Sequence, residues 1–197
     1  IMGSVATLFV GTMTGILCWF ALIGISLLLP SRWFEAFLSG YVAPSTALTA
    51  MALLVVGPNQ GWWPFLKIPL GLLLLYLTSI YRLGWAEDLR GLRPQIEVAR
   101  VLGASRWRTL WGVILPQLSV RAGGLAAVAA VWAGGDFAVS RIVAHKDLTL
   151  AMITETLMSG YRLGLASVLS VPLMICAGLC GLIVWGWGYV FGKRSAL

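Results

Sequence analysis

The sequence predicts an all-α integral membrane protein: about five transmembrane helices with one polar elbow projecting from the bundle. Three observations carry that expectation. Hydrophobic residues make up 59% of the 197 residues, and the mean hydropathy is +0.91. Charged residues make up only 11%, where soluble domains carry about 25%. The apolar residues are also gathered into five runs, each near the roughly 20 residues that cross about 30 Å of hydrocarbon.

The runs are Val5–Leu29, Gly40–Val56, Pro64–Tyr81, Ser119–Val139 and Leu165–Phe191. Lipid offers no partner to backbone N–H and C=O groups, so each run is expected to be helical and no strand is expected. The second and third runs are short and carry Pro44 and Pro69, which predicts tilted or kinked helices. Gly11-x-x-x-Gly15 and the stripe Ala122, Ala126, Ala130, Gly134 place small residues on one helix face, where another backbone can approach closely. The segment Arg141–Arg162 is too polar to span, and its stretch Leu148–Met158 is expected to form a short helix on the outer surface. A single domain, residues 1–197, uses up the length. The chain opens on Ile1 rather than a methionine, which leaves room for sequence upstream.

The net charge of +7 does not point to nucleic acid, because the bases form no stripe on a soluble face. They lie at the ends of apolar runs, as topology determinants do. If the region around Arg82–Arg121 is cytoplasmic, five crossings place the N-terminus outside and the C-terminus inside. Arg32, Arg82, Arg90, Arg93, Arg100, Arg106, Arg108, Arg121, Lys193 and Arg194 are then inside, and Lys67, Arg141, Lys146 and Arg162 outside, dividing the 14 bases in favour of the inside. The outer loop Asn59–Trp63 carries two tryptophans suited to an interfacial belt.

Cys18, Cys176 and Cys180 lie within apolar runs and form no C-x-x-C pair, so neither a disulfide framework nor a zinc site is indicated. His145 is the single histidine and reads as a loop residue. The chain has no G-x-x-x-x-G-K-[ST], H-E-x-x-H or G-x-S-x-G, so no nucleotide, zinc-protease or serine-hydrolase site is expected on it.

The polar elbow, residues 83–118, is the most informative stretch. Pro94 is placed to open a helix, Ile96, Val98, Val101 and Leu102 supply its apolar faces, and Glu97 and Arg100 project together at i, i+3 spacing. Gly103 can adopt positive φ and end that helix. Ser105 is a natural N-cap for a second one carrying Trp107, Leu110, Trp111 and Ile114. A short rigid helix at the tip of such an elbow moves as one body with whatever holds it.

The run Glu97-Val98-Ala99, Gly103, then Val113-x-Leu115-Pro116 resembles the EAA motif of binding-protein-dependent ABC importer permeases, E-A-A-x3-G-x9-I-x-L-P. Val98 and Val113 are conservative departures. The resemblance covers nearly the whole chain and fits both a minimal five-helix permease and the second half of a fused one. It implies a coupling helix that docks on a separate ABC ATPase subunit dimer through Glu97, Ala99, Arg100, Gly103, Ala104 and Arg106. ATP and Mg would then be held by that partner, with no cofactor on this chain. It further implies a second permease subunit or half, an extracytoplasmic substrate-binding protein, alternating access and a bacterial-type inner membrane.

Gly134-Gly135-Asp136-Phe137 resembles a stretch of the thiamine and ferric-iron permeases, whose cargo is small and cationic or a metal ion. Intramembrane acids usually face a bundle interior or water, so Asp136 is either a pore-facing residue or the partner of Arg141. Pro44, Ser45, Asp136 and Ser140 are the candidate pathway residues. The rival reading is a non-ABC membrane protein, a secondary-transporter fragment or an assembly scaffold. Asp136 is the one acid within a run, which weakens ion-coupled secondary transport.

Overall fold

A computed structural model describes residues 2–28, 45–56, 58, 61–144 and 149–195. Arg32, Pro44, Asn59, His145 and Lys146, named above, lie outside the described residues. The elements are α1 (Met2–Leu28), α2 (Thr46–Val55), α3 (Trp63–Ile80), α4 (Ala86–Val101), α5 (Arg106–Thr109), α6 (Leu115–Gly135), α7 (Ala138–Val143), α8 (Leu150–Ser159) and α9 (Leu163–Ser195). Wider π-helical turns at Tyr81–Trp85 and Leu110–Ile114 join α3 to α4 and α5 to α6. All regular structure among the described residues is helical, as expected.

Among the described residues, four helical stretches are long and apolar enough to cross a membrane: Met2–Ser26, Trp63–Val101, Arg106–Gly135 and Leu163–Lys193. The sequence predicted five. The predicted run Gly40–Val56 lies partly outside the described residues; its described helix, α2, has 10 residues and reaches about 15 Å at 1.5 Å per residue. That is half the hydrocarbon thickness. α2 is nevertheless built into the bundle: Ala50 shares a buried cluster with Ile68, Leu72, Val139 and Val143.

Contacts along the bundle fix the helix directions. α1 and α6 are antiparallel, with Trp19 Nε1 donating to the Ser119 carbonyl at 3.2 Å and Gly11 standing against Ala130. α6 and α9 are antiparallel as well, with Gly134 against Ala177 and Gly123 against Gly188. α1 and α3 are parallel: the Phe9 and Phe65 rings meet at 5.9 Å near their starts, and Trp19 and Leu22 share a buried cluster with Ile80 and Tyr81 near their ends. Among the described residues α1, α3 and α9 therefore run in one direction and α6 against them.

The small-residue stripes do what the sequence predicted. Ala122, Ala126 and Ala130 are fully buried. A Cβ on Gly15 would stand 2.7 Å from Val184 Cγ2 and 2.8 Å from Ala130 Cβ. The tightest approach is between Gly123 and Gly188, where a Cβ on Gly188 would lie 2.6 Å from the Gly123 Cα. Beside it the Ser119 hydroxyl donates to the Gly188 carbonyl at 2.7 Å. α1, α6 and α9 thus form one seam of near backbone-to-backbone packing.

The surface helix predicted at Leu148–Met158 is present as α8. Thr149 caps it by accepting from the Met152 N–H. Thr7 holds it down, its hydroxyl accepting from the Leu150 N–H at 2.9 Å while donating to the Gly3 carbonyl. Leu150, Ala151, Met152 and Thr154 face inward. α8 therefore closes the end of the bundle opposite the elbow.

Candidate functional site: the polar elbow

The elbow is a helical hairpin, α4 descending and α5 with the second π-turn returning. Its tip is formed as the sequence predicted. Gly103 has φ 80, and its N–H and that of Ala104 donate back to the Arg100 and Ala99 carbonyls, closing α4 with groups that would otherwise be orphaned. Ser105 then caps α5, its hydroxyl accepting from the Arg108 N–H at 3.3 Å.

Two expectations are corrected. α4 does not open at Pro94: it runs unbroken from Ala86, with Pro94 inside it. Pro94 is exposed, so the carbonyl it deprives of a partner can face water. The break lies ten residues earlier at Gly84, whose φ of 132 is a glycine conformation. Glu97 does not pair with Arg100 but with Arg93, one turn back at 3.6 Å, the other spacing that brings helical side chains together.

Of the residues expected at a partner surface, Glu97, Gly103 and Arg106 are exposed and Ala99, Arg100 and Ala104 half-buried. The apolar residues of the tip divide sharply. Ile96, Leu110 and Ile114 are buried, but Val98 is 59%, Val101 87%, Leu102 81% and Trp107 68% exposed. Pro94, Gln95, Val98, Ala99, Leu102 and Val113 line a shallow groove beside this cluster. Aliphatic side chains bared on an arginine-rich tip form the kind of patch that marks an interaction surface.

Sequence reasoning missed how the elbow is held. Asp88 Oδ1 bonds Arg121 Nη1 at 2.7 Å, and Gln117 Nε2 donates to Gln95 Oε1 at 2.6 Å, so both tie α4 to α6. The signal was present in the pattern: Asp88 and Gln95 are two turns apart on one face, beside the apolar row Leu89, Leu92, Ile96.

At the other end, Asp136 terminates α6, and its Oδ2 accepts the Val139 N–H at 3.1 Å, which caps the short α7. Arg141 is not its partner; the guanidinium bonds Glu155 and Thr156 of α8. Ser140 is buried on α7, with its hydroxyl 3.4 Å from the Asp136 carbonyl. Ser45 is exposed and caps α2 by accepting from the Leu48 N–H. Asp136 and Ser140 therefore share one turn, Ser45 heads the helix packed across it, and Pro44 lies outside the described residues.

A multi-pass α-helical bundle with an apolar-tipped, arginine-rich elbow defines an integral membrane protein built to work with partners. The chain belongs to the family of binding-protein-dependent transport system inner membrane components, whose model matches residues 3–196. Neither the curated proteins nor the solved structures gave a match. The protein is accordingly the membrane permease of an ABC transport system, not a catalytic enzyme.

Proposed function

We propose that the elbow is the coupling element of an importer permease and docks on a separate ATPase subunit, which holds ATP and Mg. The observation that carries this reading is the bared aliphatic cluster Val98, Val101 and Leu102 beside the exposed Glu97 and Gly103. The EAA-like spacing of Glu97, Ala99, Gly103, Leu115 and Pro116 supports it. Arg100, Ala104 and Arg106 complete the surface on both sides of the turn. The test is affinity purification of the full complex from native membranes with mass spectrometry. The intact chain brings down an ATPase subunit, and Val101→Asp with Leu102→Asp loses it while the bundle remains in the membrane. An intact chain that purifies without any ATPase overturns the reading.

The elbow end is then cytoplasmic and α8 extracytoplasmic, with the N-terminus outside and the C-terminus inside the inner membrane. The division of bases and the shared direction of α1 and α3 support this orientation. In a background without the three native cysteines, Ser105→Cys should be shielded from an impermeant thiol reagent in intact cells and Ser159→Cys labelled. Both side chains are exposed, so labelling reports sidedness; labelling of Ser105→Cys from outside reverses the assignment.

Transport proceeds on this reading by alternating access, with a substrate-binding protein delivering cargo at the α7–α8 end and a second permease subunit or half completing the pathway. Only 28% of the apolar window of α9 is covered by this chain, against 50% in each of the other three, which leaves α9 the broadest face for lipid and a second permease. The cargo class we favour is a small cation or metal ion such as iron or a thiamine-like solute, on the strength of Asp136 at that mouth, with Ser140 on the same turn and Ser45 heading the helix that packs on α7. Asp136→Asn preserves volume and the capped turn but removes the charge. Uptake at limiting substrate should fall at least about tenfold, one lost charge interaction of roughly 1.4 kcal/mol. Unchanged uptake at every concentration makes Asp136 a capping residue only.

A further inference from the structure

The elbow is attached to two membrane helices, and the two attachments are physically unlike. Toward α3 the connection is the π-turn Tyr81–Trp85, in which Gly84 has φ 132 and ψ −10. Beyond the neighbouring backbone no atom lies within 4 Å of where a Gly84 Cβ would stand, so the glycine itself has room to change its bend between the buried Tyr81 and Trp85. π-turns and glycines are where helices kink. Toward α6 the connection is multiple. Asp88–Arg121 at 2.7 Å and Gln95–Gln117 at 2.6 Å clamp the flank of α4 at two heights. Between them Leu89, Leu92 and Ile96 share a buried cluster with Leu115 and Leu118. The Asp88 carboxylate is only 12% exposed and the Arg121 side chain 68% exposed, so the pair is shielded from one side.

A further observation marks the same hinge. Among the described residues, the buried side-chain N and O atoms without a hydrogen-bond partner are Trp85 Nε1 and Asp88 Oδ2. They are a donor and an acceptor, one turn apart, directly after Gly84. Buried polar groups are rarely left unpaired, and a change of bend here alters what each can reach.

We propose that α6 is the helix that carries elbow movement into the membrane, with Asp88, Gln95, Arg121 and Gln117 as positioning residues, while the Gly84 turn releases α3 from that movement. The inference rests on the elbow being the ATPase contact. α6 is the central helix of the seam with α1 and α9 and ends at Asp136, so a displacement of its base is delivered to the opposite mouth. α3, freed at Gly84, can stay in place.

The test uses the full transporter with its co-purified ATPase in lipid nanodiscs. Spin labels are placed on cysteine-free protein at Gly91 with Leu70, across the Gly84 turn, and at Gly91 with Val128, across the clamps. Gly91 has open space around its Cβ position, and Leu70 and Val128 are exposed. Trapping the ATP-bound state should shift the Gly91–Leu70 distance distribution and leave Gly91–Val128 in place. A moving Gly91–Val128 pair, or a static Gly91–Leu70 pair, overturns the proposal while leaving the coupling role intact. Loss of the ATPase during purification overturns the coupling role itself, before any distance is read.

A functional arm separates a positioning role from simple stability. Arg121→Gln should reduce substrate transported per ATP hydrolysed about tenfold, within the range of coupling between linked sites, with hydrolysis continuing. Asp88→Arg combined with Arg121→Asp should restore it. Equal transport per ATP in Arg121→Gln and the unaltered protein overturns the clamp.

Discussion

Gly188→Leu is expected to remove the protein from the membrane fraction altogether. The Cβ alone would lie 2.6 Å from the Gly123 Cα and 2.9 Å from the Ser119 carbonyl oxygen, and both are backbone atoms with no rotamer to yield. Overpacking a well-filled core typically costs about 1–3 kcal/mol; here the whole α6–α9 contact must separate, so the loss lies at or beyond that range. It would also break the Ser119 hydroxyl bond to the Gly188 carbonyl. Gly178→Leu, on the same helix with nothing within 4 Å of its Cβ position, is the control and should accumulate normally. Fluorescence-detected size exclusion of both variants checks the pair. Equal yields would mean that the seam does not hold the bundle.

Gly103→Val should leave the bundle assembled and abolish transport. Gly103 sits at φ 80 with no neighbour to clash with a side chain, so the effect is backbone strain alone. A β-branched residue held there costs about 1–3 kcal/mol, enough to unwind the turn that presents Val101 and Leu102. Glu97→Ala isolates the surface from the turn. Its pair with Arg93 is at 3.6 Å between side chains that are 64% and 41% exposed, and such exposed pairs contribute about 0.2–1 kcal/mol. Stability should therefore hardly change. Membrane level, ATPase co-purification and uptake measured together distinguish the cases: normal insertion with lost uptake is expected for both variants. Full uptake by both removes the coupling assignment.

The parts of this architecture that follow from local rules were legible in the chain. Glycine at a helix end predicts the Gly103 turn, serine before a helix predicts the Ser105 cap, and a four-residue stripe of small side chains predicts the α6 seam. What escaped depends on context. Pro94 reads as a helix start because its ring suits one, yet α4 tolerates it in its interior on an exposed face. Glu97 had basic residues at both helical spacings, Arg93 before it and Arg100 after it, and periodicity does not choose between them. The Gly123–Gly188 contact joins residues 65 positions apart, and neither glycine announces its partner.

The seam between α6 and α9 also limits how this protein can change shape. Sliding one helix along the other by a turn, about 5.4 Å, would bring Val184, on the same buried face of α9, toward the slot that Gly188 occupies, and an isopropyl group does not fit where a methyl group is already too large. The two helices resemble gear teeth cut for a single mesh. Their relative height is fixed, and α1 is locked to them through Gly11 and Gly15. On the proposed alternating-access reading the working stroke is left with rotation: the three helices swing as a block about an axis, with the outward and inward openings as the two ends of one lever.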